Sequence, residues 1–183
     1  IREKILGKDK EHTPLEINLV TVQWPELEKV MRAVKDQWAK IGVKVTTNAY
    51  TLGELQQEKI RPRDYEALLF GQVVGIDPDP FSFWHSSQKK DPGLNLALYE
   101  NKIADKLLEE ARQTLDSQAR AEKYVLLQET ISNDIPAIFL YSPDYLYPTN
   151  TSIKGIKEGK IADPSWRFSD ITEWYTDTKR VWK

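Results

Sequence analysis

The chain is 183 residues long, 40% apolar, with 26 basic against 28 acidic side chains and a formal charge of −2. That size suits one α/β unit with a core, or one unit and a tail, and the even spread of charge excludes the basic field that nucleic-acid binding requires. With 0 cysteines there is no disulfide framework, thiolate nucleophile or zinc-thiolate site, and no apolar run approaches the roughly 20 residues that span a bilayer.

In chain order, residues 1–14 are charged, lack an apolar period and read as an incoming loop. Leu15, Ile17, Leu19 and Thr21 alternate with Glu16, Asn18 and Val20, predicting a strand over 15–22 with at least one buried face. Pro25 suits a first helical turn and Glu26 and Glu28 complement a helix N-terminus. Leu27, Val30, Met31, Val34, Trp38 and Ile41 recur at helical spacing up to a stop at Gly42. Val43, Val45 and Thr47 alternate into a second strand, which completes a strand–helix–strand unit. A short helical turn is expected over 52–59. The apolar run 65–71 ends on glycine and reads as a central strand buried on both faces.

Between Gly71 and Gly93 the breakers Pro78, Pro80 and Pro92 forbid long regular structure, and a loop of that length inside a compact unit is usually functional. A helical hairpin follows. Ile103, Leu107, Leu108, Ala111 and Leu115 share one face, Asp116 caps a second helix, and Tyr124, Leu127 and Ile131 share a face of that helix. Residues 136–141 read as a further strand, with 145–147 pairing beside it. Beyond Asn150 the chain is polar with Trp166, Trp174 and Trp182, a tail that needs a partner surface.

Chemistry-bearing residues are sparse. His12 and His85 stand in different loops without ligand spacing, so no metal site is expected. His85 lies next to Ser86 and Ser87, but a nucleophile meets its base through the fold rather than through adjacency, and a solvated loop histidine is expected. Asp77 and Asp79 alternate with rigid prolines, and Asp77 reads as bracing a turn. Trp38 reads as core. Trp24 follows the first strand, and Phe83 and Trp84 follow the 65–71 strand. Both loops leave strand carboxyl ends, where open α/β sheets hold their ligand crevice, although each ring taken singly suits core packing equally well. The expected ligand wall is therefore Gln23, Trp24, Gln72, Val73, Val74, Gly75, Phe83 and Trp84, with glycines at 71 and 75 letting backbone approach a ligand closely.

As an ordered set these segments resemble the C-terminal lobe of family 5 (peptide/nickel class) of the extracellular solute-binding proteins that serve ABC importers. The marks are Ile1, Arg2, Glu3 and Lys4; 15–21 with 25–45; 65–71; Asp77, Pro78, Asp79 and Pro80; 101–116 with Arg120 and Tyr124; Asn133, Asp134, Ile135 and Pro136; and Trp174 with Tyr175. The resemblance implies an α/β, periplasmic-binding-protein-like lobe over 1–152 with a mixed, mostly parallel sheet flanked by helices. It implies that 153–183 is a tail returning to a second lobe outside this chain. It further implies capture, without catalysis or cofactor, of a peptide or oligosaccharide-like solute, an ABC importer permease as partner, an extracytoplasmic location, and membrane attachment only through an anchor outside this chain. Peptide-binding members place a carboxylate for the ligand ammonium before the Asp-Pro passage. Here Gly71, Gln72, Val73, Val74, Gly75 and Ile76 contain none, so that anchor is not carried over. The alternatives are a protein-interaction module working through the tail aromatics, or a small-ligand hydrolase using Asp77, Asp79 and His85.

Overall fold

A computed structural model of the chain describes residues 3–6, 11–75, 79–157, 159, 161 and 163–177, with the backbone alone described at 3–6 and 11–14. Chain contacts divide it into two units, Ile1–Val73 with Pro80–Pro136, and Val74–Asp79 with Ala137–Lys183. That division falls at 136/137, where the sequence reading placed a boundary at 152/153.

The first unit opens on β1 (Glu3–Leu6) and β2 (Glu11–Pro14), antiparallel with Glu3 opposite Pro14 and Leu6 opposite Glu11. This corrects the expected loop. The ladder rests on backbone hydrogen bonds, and strands rich in charged residues offer no apolar alternation for a period to reveal. The sheet that forms the core has the order β4 (Lys44–Tyr50), β3 (Glu16–Val22), β5 (Ala67–Leu69), all parallel. Its centre is therefore β3, and the 65–71 strand shrinks to three residues at its flank. The reason lies in β3 itself: Leu19, Val20, Thr21 and Val22 are all buried, a continuous run that needs cover on both faces. Leu68 and Leu69 are half-buried, on opposite faces of β5.

One face packs Leu19 with Met31, Val43 and Val45, covered by Val34 and Trp38 of α1 (Pro25–Lys40). Gly42 adopts φ 83° and ends that helix, the Val43 N–H returning to Trp38 O at 3.0 Å, a conformation that favours glycine. The other face packs Val20 and Val22 on Leu55. Leu55 starts a π-helical turn, Leu55–Ile60, that continues α2 (Leu52–Glu54). Thr51 and Glu54 cap α2 reciprocally, the Glu54 N–H donating to Thr51 Oγ1 and the Thr51 N–H to Glu54 Oε2 at 2.9 Å. Leu55→Ala should lower the stability of this unit by about 3 kcal/mol in urea unfolding, the usual cost of emptying a fully enclosed leucine site.

After α3 (Phe81–Trp84) and a 3-10 turn, Ser86–Gln88, the unit ends in α4 (Lys102–Gln113) and α5 (Ser117–Asp134). Asn101 caps α4, and Asp116 caps α5 as expected, accepting from the Ala119 N–H at 2.7 Å. The buried stripe of α4 is Ala104, Leu108 and Ala111. Two residues expected on it are exposed: Ile103 sits one step off the stripe, and Leu115, 98% exposed, follows the helix end. The hairpin's ends are tied through Asp134, whose carboxylate accepts from Tyr99 OH at 2.6 Å and Asn101 Nδ2 at 2.7 Å. The tyrosine bond, then the asparagine bond, hold its pKa below the usual value. A depressed folded pKa stabilises above the unfolded value near 3.9 and ceases to do so as pH falls through the folded one. The urea midpoint should therefore drop below about pH 4, and Asp134→Asn should flatten that drop.

The second unit contains β6 (Ile153–Lys154) paired antiparallel with β7 (Tyr175–Thr176), and 3-10 turns at Pro164–Phe168 and Ile171–Glu173. The strand expected over 136–141 does not form; Ile138 and Phe139 are 65% and 68% exposed. A strand exists only where a neighbour takes its N–H and C=O groups, and β6–β7 is the one ladder among this unit's described residues. Tyr145 and Tyr147 stack at 6.4 Å rather than pair as strands. Trp182 lies outside the described residues.

Candidate ligand-binding edge

Because β3, β4 and β5 are parallel, their carboxyl ends lie on one edge. Thr21 stands opposite Leu69 and donates from Oγ1 to its carbonyl at 2.8 Å, so the loops beginning at Gln23 and Phe70 leave side by side. Gln23 is held flat on this edge, its N–H donating to Tyr50 O at 2.7 Å and its Nε2 reaching Ala49 O at 3.5 Å. The Trp24 N–H turns back to Val22 O at 2.8 Å, which places Trp24 at the start of α1, 52% exposed. Gln72 is exposed, and Val73 and Val74 are 77% and 41% exposed. An added Cβ at Gly71 or Gly75 would meet nothing within 4 Å, so the chain's own packing demands glycine at neither position. The edge thus offers a flat indole, two glutamines and open backbone, chemistry suited to stacking and neutral hydrogen bonds.

The following loop is placed differently from the sequence reading. Phe83 is half-buried. Trp84 is 8% exposed and packs edge-on against Tyr99, ring centroids 6.2 Å apart at 81°, which corrects its assignment to an open surface. The single helical turn of α3 aims it inward, and its carbonyl is taken by Asn95 Nδ2 at 3.4 Å. His85 is also 8% exposed rather than solvated. Its Nδ1 accepts from the Ser87 N–H at 3.1 Å, leaving the proton on Nε2, 3.3 Å from Glu109 Oε1. Phe81 stacks on the imidazole at 4.1 Å, and the Arg112 guanidinium lies 3.8 Å above Phe81. Ser87 Oγ sits 2.8 Å from His85 Nδ1. Yet Ser87's N–H is committed to the ring and Asp105 takes both the N–H and Oγ of Ser86, so the arrangement is that of a capped turn. Asp77 lies outside the described residues, as does the side chain of His12. Among the described residues no group of three or more His, Cys, Asp or Glu is placed to hold a metal, and no helix is long and apolar enough to cross a membrane.

Two anchoring residues escaped the sequence reading. Arg63, at φ 59°, donates from Nε to Lys89 O at 2.9 Å, from Nη2 to Gly93 O at 2.6 Å and from Nη1 to Ile60 O. Gly93 must be glycine here, since a Cβ would stand 2.2 Å from Gln88 O. Asn95 is fully buried and donates to Trp84, His85 and Tyr99 carbonyls while accepting from the Tyr99 N–H at 3.0 Å. A lone polar residue between Leu94 and Leu96 was its signal in the sequence.

A parallel sheet covered on both faces, with loops gathered at the strand carboxyl edge, is a lobe of the periplasmic-binding-protein type. No family model matches the chain. Among curated proteins it is 30% identical to the oligopeptide-binding protein AppA of Bacillus subtilis, over 91% of this chain and 30% of that protein. It is 26% identical to the nickel-binding protein NikA of Staphylococcus aureus, over 84% of this chain and 31% of that one. The solved structure of Bacillus subtilis AppA in complex with a nonapeptide matches with a TM-score of 0.68 at 29% identity, covering 95% of this chain and 34% of the other. The ABC transporter-associated periplasmic binding protein DppA of Helicobacter pylori, in complex with the peptide STSA, shares the fold at a TM-score of 0.70 and 23% identity, over 90% and 32%. The chain is a relative of the family 5, peptide- and nickel-binding solute-binding proteins, and spans about a third of the length of those it matches.

Proposed function

We propose that the chain is the ligand-binding lobe of an extracytoplasmic solute-binding protein that delivers a peptide or peptide-like solute to an ABC importer permease. The observation that carries the reading is the similarity to AppA over 91% of the chain, together with exposed Gln23, Trp24, Gln72 and Val73 on one strand-end edge. The oligosaccharide alternative draws no support from these relatives. Half-buried Phe83 completes the wall within the first unit, and residues 153–183 return to a second lobe outside this chain. The wall offers uncharged donors and acceptors where peptide-binding members hold an ammonium, so the solute is gripped along its backbone and apolar side chains rather than by a charged amino end.

The test is titration calorimetry of the two-lobed protein against N-acetylated and free-amino peptide pools. Acetylation should leave affinity within about twofold, because an absent ion pair cannot be lost. A drop of a hundredfold on acetylation would overturn the reading, and turnover of the peptides would point to the hydrolase instead. Trp24→Ala should weaken binding about tenfold, near 1.4 kcal/mol for a lost stacking face, with an unchanged melting temperature.

A further inference from the structure

The three strands of the core sheet begin and end in opposite chemistry. Glu16 opens β3 and pairs at 2.7 Å with Lys44, which opens β4, and Glu66, just before β5, accepts the Asn18 N–H at 2.6 Å. At the carboxyl edge each strand instead hands over to a large apolar residue. Trp24 stands two residues past β3, Leu52 two past β4 and Phe70 one past β5, and they are 52%, 47% and 40% exposed. None of them belongs to either cluster of the core. With the strand order β4, β3, β5, the row runs Leu52, Trp24, Phe70.

Local structure keeps each of the three out of the core. Trp24 holds the cap position of α1 with extended backbone, φ −119°, and Pro25 fixes the turn that follows. The reciprocal cap of Thr51 and Glu54 starts α2 at Leu52, and Leu55, one turn on, takes the enclosed place against Val20 and Val22. Leu68 and Leu69 already cover the two faces of β5 before Phe70 leaves it. One exposed apolar side chain needs no explanation, but three from neighbouring strand ends on one edge form a patch. Strands about 4.8 Å apart make that patch about 10 Å across, the width of one or two side chains and far below a stable protein interface. Gln23 adjoins Trp24, and Gln72 lies two residues past Phe70.

We propose that Leu52, Trp24 and Phe70 form a seat for one large aliphatic or aromatic side chain of the solute, so that the lobe selects peptides apolar at that position while the glutamines take backbone groups. The inference rests on the solute-binding reading and adds the substrate class to it. A leucine- or phenylalanine-sized group in the seat removes apolar surface of solute and protein together from water. A lysine or glutamate there sheds hydration against Leu52 and Phe70, and none of the three residues returns a counter-charge. Glu54 is committed to Thr51 through both its N–H and its hydroxyl. Glu26, on the first turn of α1, is exposed, so a lysine guest separates charge from apolar contact.

The experiment is calorimetric titration of the two-lobed protein with N-acetylated, C-amidated pentapeptide pools, each fixed at one position as Ala, Leu, Phe, Glu or Lys and randomised elsewhere. At one position the Leu or Phe pool should bind at least tenfold more tightly than the Ala, Glu and Lys pools. In the double variant Leu52→Ser with Phe70→Ser that preference should fall below threefold. Peptide binding with no apolar preference, a preference for Lys, or an apolar preference that the double variant keeps would each overturn the seat and leave the peptide reading intact, the row then being covered by the second lobe rather than by solute. Failure of every pool to bind would overturn both. Should the double variant not fold, Leu52→Thr and Phe70→Thr taken singly must each lower the preference at least threefold.

Discussion

Asn95→Leu should lower the unfolding free energy of the first unit by about 4 kcal/mol, read as a shift of the urea midpoint with little change of slope. Leucine is close to asparagine in shape but supplies none of its bonds. The carbonyls of Trp84 and Tyr99 and the N–H of Tyr99 would stay buried without this partner, the His85 carbonyl keeping only the Gln88 N–H at 3.0 Å, and each unmet group costs on the order of 1 kcal/mol or more. Asn95→Asp separates hydrogen bonding from volume. It keeps the acceptor for Tyr99 but turns a donor toward three carbonyl oxygens into a second carboxylate oxygen, so it should be at least as damaging at neutral pH and recover as the carboxyl protonates. A loss below about 1 kcal/mol for both variants would mean that water takes over the asparagine's role.

The contrast between such a residue and the legible parts of the chain is physical. Helical stripes, the Asp116 cap and the alternation of β3 and β4 are local, because side chains three, four or two residues apart meet whatever the rest of the fold does. Hence α1, α5 and the parallel β3–β4 pair follow their residues closely. The hub at Asn95, the Arg63 clasp and the buried ring of His85 join residues 10 to 30 positions apart, and no period encodes such a meeting. The 136–141 segment fails in the opposite sense. Its composition suits a strand, yet a strand is a property of two chains' backbones and no ladder reaches it here. At the strand carboxyl edge, strand direction alone places Gln23, Trp24 and the loop after the 65–71 strand side by side. It could not separate Trp24 from Trp84, since the two differ by which way one helical turn points.

That difference supplies the sharpest functional test. Trp84→Ala should cost about 4 kcal/mol of stability, within the range for emptying a large aromatic site in a packed interior, because the ring is 8% exposed and braced on Tyr99. Lost with it is the edge-to-face contact at 6.2 Å, worth on the order of 1 kcal/mol beyond burial. Trp84→Phe keeps an aromatic against Tyr99 and should lose about half as much. Ligand affinity per folded molecule should be unchanged in both, since the indole does not reach the solvent side where Gln23 and Trp24 stand. Trp24→Ala should invert the pattern, with melting held and affinity reduced, because its ring is 52% exposed and makes no cap for α1. Equilibrium urea unfolding beside calorimetric titration at a temperature where every variant is folded separates the two. If Trp84→Ala instead melts like the parent and loses ligand, the indole faces the cleft in the liganded state, and the wall extends along α3 rather than ending at the strand edge.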